Sequence, residues 1–136
     1  MGEAAGGVNL LAVVLAAISA FVLGGAWYSP VLFGKAWQAE AKLTDADLKA
    51  GNMGKIFGGA FILSLIAAYV FAMFLGPSPG LTFGIGAGAS AGLCWVAASY
   101  GITYLFEHRS LKLFLINGGY HTVQFTLYGA IIGWMQ

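Results

Sequence analysis

Asn117, His121, Gln124 and Tyr128 follow one another at steps of four, three and four, so a helix through them carries all four on one face, with Tyr120 at its flank. Two amides, an imidazole and a phenol can hold a polar molecule by hydrogen bonds. The imidazole is also the one side chain whose ordinary pKa lies near physiological pH, so it can carry or sense a proton. Catalysis has less support. The stretches 4–34, 56–106 and 113–136 contain no Asp or Glu, so neither a Ser-His-Asp triad nor an aspartyl pair can be assembled within them. Glu107 is the nearest acid, on the order of 10 Å or more from His121 in depth by helix rise. No paired His or Cys spacing points to a metal, and nothing calls for a cofactor. Gly84-Ile85-Gly86-Ala87-Gly88 is glycine-rich but lacks the strand and the basic partner of a nucleotide loop.

The elements that must position these residues follow from composition. Of 136 residues, 60% are hydrophobic and 8% charged, and the mean hydropathy is +0.84. Glu3 stands alone, seven charges lie between Lys35 and Lys55, and three lie between Glu107 and Lys112. Each uncharged run is long enough for the roughly 20 apolar residues that cross a bilayer as helix, and the middle run for two. The expected fold class is therefore all-α integral membrane, one domain over 1–136. A soluble enzyme, a nucleic-acid binder, a disulfide scaffold and a disordered chain are excluded.

Four transmembrane helices are expected, at about 8–28, 56–75, 81–106 and 113–134, packed as a bundle. Ser29-Pro30 stops the first, and Gly76-Pro77-Ser78-Pro79-Gly80 is a tight turn after the second. The loop of about 29–55 holds Lys35, Lys42, Lys49 and Lys55, and Arg109 and Lys112 lie in the last loop. An excess of basic residues marks cytoplasmic loops, which places both termini on the non-cytoplasmic side of the inner (cytoplasmic) membrane. Within the long loop, Thr44 with Asp47 three residues on reads as a helix start, and Trp37 as an interfacial anchor. Met1-Gly2 looks like a lipidation start only superficially, since Ala5-Gly6 stands where that signal carries Ser or Thr. The single cysteine, Cys94, permits no intrachain disulfide.

Gly84, Gly88 and Gly92 repeat at spacings of four, and Gly129 and Gly133 stand in the same relation. Both series let a second helix approach closely, whether from the same chain or from another copy. A parallel repeat laying Ser19–Phe33 over Ser90–Phe106 is weak, and chance explains it about as well.

Gly25-Ala26-Trp27-Tyr28-Ser29-Pro30 with Leu32-Phe33-Gly34-Lys35-Ala36-Trp37, then Gly51-Asn52-Met53-Gly54-Lys55-Ile56-Phe57, then Leu105-Phe106-Glu107, Arg109-Ser110-Leu111-Lys112-Leu113-Phe114-Leu115-Ile116-Asn117 and Gly119-Tyr120-His121 form a longer pattern. In order and spacing it resembles the bacterial and fungal membrane family called domain of unknown function 1761, over nearly the whole chain. The resemblance implies a four-span membrane protein and brings no activity or catalytic residue with it.

Helix direction collects Trp27, Tyr28, Ser99, Thr103, Asn117, Tyr120, His121 and Gln124 toward the cytoplasmic half. The expected function is binding or transport of a small solute or proton through that cluster, with Asn117 and His121 in one hydrogen-bonded group. The alternative is a non-catalytic accessory or self-assembling subunit, in which the stripe joins helices. The expected partners are the lipid bilayer and either a second copy or a larger membrane complex, with no nucleic acid.

Overall fold

The computed structural model describes residues 7–136 and the backbone of Glu3–Ala4. Met1, Gly2, Ala5 and Gly6, on which the lipidation reading falls, lie outside the described residues. Strand β1 (Glu3–Ala4) pairs antiparallel with β2 (Val8–Asn9). Helix α1 (Leu10–Trp27) follows at once, its N-terminus capped by the Asn9 side chain, which accepts from the Ala12 N–H at 3.1 Å. The polar stretch that follows holds two short helices, α2 (Gly34–Glu40) and α3 (Asp45–Ala50). The second opens on a reciprocal Thr44–Asp47 capping box. Helix α4 (Met53–Leu75) starts on an Asn52 cap. It stops at Gly76, whose φ of +75° no side-chain-bearing residue adopts cheaply.

After the Gly-Pro turn, α5 (Leu81–Ala91) runs without a break through a π-helical segment (Gly92–Ala97) into α6 (Ala98–Phe106). Helix α7 (Leu111–Met135) begins on the Ser110 hydroxyl, which accepts from the Leu113 N–H.

Among the described residues, three helical stretches are long and apolar enough to cross a membrane: Leu10–Trp27, Met53–Leu75 and Leu81–Phe106. Helix α7 has the length, at 25 residues, and is less apolar because Asn117, His121 and Gln124 sit in it. It is nevertheless the centre of the packing. It lies along α5, the π-helical segment and α1, while α4 rests mainly on α1.

Glycines make the α5–α7 contact so close. A Cβ at Gly84 would collide with the Gly129 carbonyl oxygen, and one at Gly88 with the Phe125 carbonyl oxygen. One at Gly92 would stand 2.7 Å from Thr122 Cα, and one at Gly133 2.7 Å from the Gly80 carbonyl oxygen. Gly84, Gly88, Gly129 and Gly133 therefore face one another within this chain and Gly92 faces Thr122, backbone against backbone, the arrangement by which small residues hold membrane helices together.

At the end of the molecule bearing the Gly-Pro turn, α1, α4 and α7 are tied by two side chains. Gln136 donates from Nε2 to the Ala72 and Gly76 carbonyls at 3.0 and 2.7 Å and accepts the Asn9 N–H at 3.0 Å. Asn9, 1% exposed, donates in turn to the Met135 carbonyl at 3.1 Å. The Gly76 and Met135 carbonyls thereby gain partners at the ends of α4 and α7, and the Ala72 carbonyl, which already accepts the Gly76 N–H, gains a second.

Candidate functional site

The polar face of α7 turns inward over two helical turns and meets α1, α4 and α6. Two separate hydrogen-bond networks result. The one nearer the polar loops centres on Asn117. The Tyr28 hydroxyl donates to its Oδ1 at 2.7 Å, and its Nδ2 donates to the Tyr104 hydroxyl at 2.7 Å. Trp27 sits beside it, donating from Nε1 to the Ile116 carbonyl at 2.9 Å and packing at a tilt against Phe33. Tyr28 packs against both Trp37 and Tyr120, and the Tyr120 hydroxyl reaches back to the Ala20 carbonyl at 3.1 Å.

The second network lies one turn deeper along α7. Gln124 Oε1 is 2.6 Å from His121 Nδ1. An amide oxygen only accepts, so Nδ1 carries the hydrogen and, in the neutral ring, Nε2 is left as the acceptor. Gln124 Nε2 donates to the Tyr128 hydroxyl at 2.7 Å, and Tyr128 is bonded to the Ser64 hydroxyl of α4. Gln124 is 7% exposed and Tyr128 fully buried. Tyr100 of α6 stacks on the imidazole, with ring centroids 4.9 Å apart and planes 18° from parallel, and its oxygen is 3.2 Å from Nε2. Among the described residues, every buried side-chain nitrogen and oxygen has a hydrogen-bond partner.

The structure thus brings together Trp27, Tyr28, Asn117 and Tyr120, and separately His121 and Gln124. Asn117 and His121 do not share one cluster. Ser99 and Thr103 join neither network: both are exposed, and the Ser99 hydroxyl bonds the Trp95 carbonyl of its own helix. The π-helical segment is the reason. Ordinary helix counting carries the Gly84–Gly88–Gly92 face on to Ser99 and Thr103, but the wider turn inserts about one extra residue and so puts Tyr100 and Tyr104 there instead. Tyr100 and Ser64 are the members of the site that sequence reasoning missed. The only signal for Tyr100 was a phenol one step from the expected serine.

Beside the deeper network lies a crevice of about 400 Å³ between α4 and α6, lined by Leu63, Ser64, Val96, Tyr100, His121 and Gln124 among others. A second, about 630 Å³, adjoins it toward the loops under Trp37, Leu48 and Met53. The two share Phe21, Ala60 and Tyr120. They exist because α4 leaves the other helices at this end, where Gly54 to Gly58 are all exposed. A third depression, about 690 Å³ and polar, lies at the surface between Glu40, Lys42, Glu107, His108 and Arg109. There Arg109 pairs with Glu107 at 3.4 Å. Among the described residues, no three His, Cys, Asp or Glu side chains come together as a metal site.

Three apolar helices of spanning length, packed around a polar interior face, define a helical membrane protein. Residues 11–133 match the family model described as "Protein of unknown function (DUF1761)", and the chain belongs to that family. No curated protein and no solved structure matches it.

Proposed function

We propose that the chain crosses the inner (cytoplasmic) membrane four times, with α7 as the fourth span and both termini outside, and that the polar face of α7 serves a small-molecule binding site reached from the loop half. The count of four rests on the 25-residue length of α7 and its place among the three apolar helices. The orientation rests on all six basic residues falling in the two loops at one end. In a Cys94→Ala background, Ser78→Cys reacts with an impermeant thiol reagent on intact cells and Lys42→Cys does not. The reverse pattern sinks the topology.

The observation that carries the binding reading is the crevice whose wall includes Tyr100, Tyr120, His121 and Gln124. Apolar walls with a few convergent polar groups are the usual make-up of a small-molecule site. Proton conduction fits less well, since the Gln124 amide stands between His121 and Tyr128 and an amide neither takes up nor releases protons readily. The test is native mass spectrometry of the protein released from its membrane, alone and as Ala60→Trp. Ala60 lines both crevices and makes none of the site's hydrogen bonds, so the indole fills the space without breaking the networks. A bound small molecule seen with the wild type and lost in the variant supports the reading. Its absence from both favours the alternative, an accessory or self-assembling subunit. That alternative draws on the complete internal pairing of the polar groups, and its contact surface would be the outer face of α5 and α6, where Ser90, Ser99 and Thr103 are exposed.

A further inference from the structure

The His121–Tyr100 geometry says what kind of molecule the crevice accepts. A good hydrogen bond to an imidazole nitrogen lies in the ring plane, along the lone pair. The bond that Tyr100 makes to Nε2 departs far from that line. With the two rings 18° from parallel and their centroids only 4.9 Å apart, the phenol lies over the face of the imidazole, and the 3.2 Å approach of its oxygen to Nε2 comes from above the ring. An in-plane phenol would hold the centroids farther apart. Gln124 holds the ring's hydrogen on Nδ1, and Gln124 is itself held by Tyr128 and Ser64. The in-plane lone pair of Nε2 is therefore an acceptor with no in-plane protein donor, on a residue that lines the crevice.

The rest of the lining is Phe21, Ala60, Leu63, Ala67, Val96 and Phe125 with the hydroxyls and amide already described, and it contains no charged side chain. A charged head at this depth would be costly without a counter-ion. The crevice also opens sideways: α4 and the α5–α6 rod scarcely touch, so its mouth lies between two apolar helices that face lipid. Toward the loops it continues into the larger apolar space under Trp37 and Met53, with room for a chain.

We infer that the crevice takes a neutral, hydroxyl-bearing membrane amphiphile, which enters from the bilayer between α4 and α6, donates its hydroxyl hydrogen to His121 Nε2 and lays its tail along Phe21 and Ala60. This rests on the binding reading above and narrows it to a donor headgroup. Long-chain alcohols, diacylglycerols and quinols share that chemistry.

The test uses the full chain in lipid nanodiscs and a long-chain alcohol carrying a diazirine in its tail, beside its methyl ether. After photolysis, labelled residues are mapped by mass spectrometry, with Phe74 and Leu93, exposed on the outside, as controls for plain lipid contact. The alcohol labels the Ala60–Ala67 and Tyr120–Phe125 stretches. Unlabelled alcohol displaces it at a concentration about three- to tenfold lower than unlabelled ether does, the net worth of one hydrogen bond. Competition by a diacylglycerol and by an isoprenoid quinol, each against its O-methylated twin, tells the sources apart. His121→Phe removes the preference for alcohol over ether, and Tyr100→Phe keeps it. Equal displacement by alcohol and ether in the wild type overturns the donor assignment and leaves crevice binding standing. Loss of the preference in Tyr100→Phe overturns the role given to His121. Labelling of Phe74 and Leu93 alone overturns the binding reading together with the inference.

Discussion

The two halves of this molecule are built from the same helices and held in opposite ways. In the half that ends at the Gly-Pro turn, glycine and alanine make the closest contacts, Gly84 and Gly88 against α7 and fully buried Ala12, Ala16, Ala68 and Ala72 about α1 and α4, with Phe71, Leu75 and Ile132 filling the core around them. The backbones of α5 and α7 approach until no Cβ fits, and Asn9 and Gln136 tie the ends together. In the half that carries the loops, the facing residues are Trp27, Tyr28, Phe57, Tyr100, Tyr104 and Tyr120. Rings hold backbones apart, α4 splays outward, and the two adjoining crevices remain. Where apolar surface alone gives little drive for helices to associate, as within a bilayer, side-chain size decides which half closes. The polar face of α7 runs through both halves, joined to Ser64 at their boundary and exposed to a crevice at His121 in the open one.

The sharpest way to break this contrast is to enlarge a residue in the closed half. Gly88→Leu should abolish folding, because even a Cβ there meets the Phe125 carbonyl. Gly88→Ala should cost about 1–3 kcal/mol as overpacking, read as a lowered melting temperature in detergent. A Gly88→Leu protein that melts like wild type would show that α5 and α7 do not pack through this face.

Next comes the hydroxyl at the boundary between the halves. Tyr128→Phe leaves the Gln124 amide without its acceptor in a buried place and should destabilise by about 1–3 kcal/mol. Tyr28→Phe removes one bond to Asn117 in the open half, where Asn117 keeps Tyr104, and should cost about 1 kcal/mol or less. A larger loss for Tyr28→Phe than for Tyr128→Phe inverts the contrast. Ala60→Trp should change stability by no more than about 0.5 kcal/mol, as at a surface position, since the crevice has room for it.

The smallest effect lies outside the helix core. The Thr44 backbone N–H, then the Thr44 side chain, hold the Asp47 carboxyl below the usual carboxylate range. Because the folded value is depressed, the stabilisation is present above the unfolded value and fades as pH falls through the folded one. The Thr44 amide resonance should therefore titrate below the ordinary aspartate range, with α4 amides unaffected. Titration at or above that range contradicts the capping box.

Much of this was legible before the structure. Charge-free runs located the helices within about three residues, and the Gly76–Gly80 turn read as the break it is, whereas the Asn52 and Ser110 caps that start α4 and α7 went unread. Spacing puts Asn117, His121, Gln124 and Tyr128 on one face, and the cost of setting polar groups against lipid turns that face toward protein. The π-helical segment was not legible, because Gly92-Leu93-Cys94-Trp95-Val96-Ala97 contains no proline or polar residue to announce a wider turn. Depth along the helix points to Ser99, Thr103 and Tyr104 alike, and it is the wider turn that brings Tyr100 and Tyr104 to α7 and leaves Ser99 and Thr103 outside. Asn9 and Gln136 were also silent, since a polar residue beside an apolar run reads as solvated until the other helix ends are seen to converge on it.

The contrast between a closed and an open half is tested most directly on the unmodified protein, by photolysing a small lipophilic diazirine dissolved in the bilayer and mapping its adducts along α7. The account predicts adducts on Tyr120, His121 and Phe125, which border the crevice, and none on Tyr128 or Ile132, which are fully buried. Adducts on both groups, or on neither, contradict it.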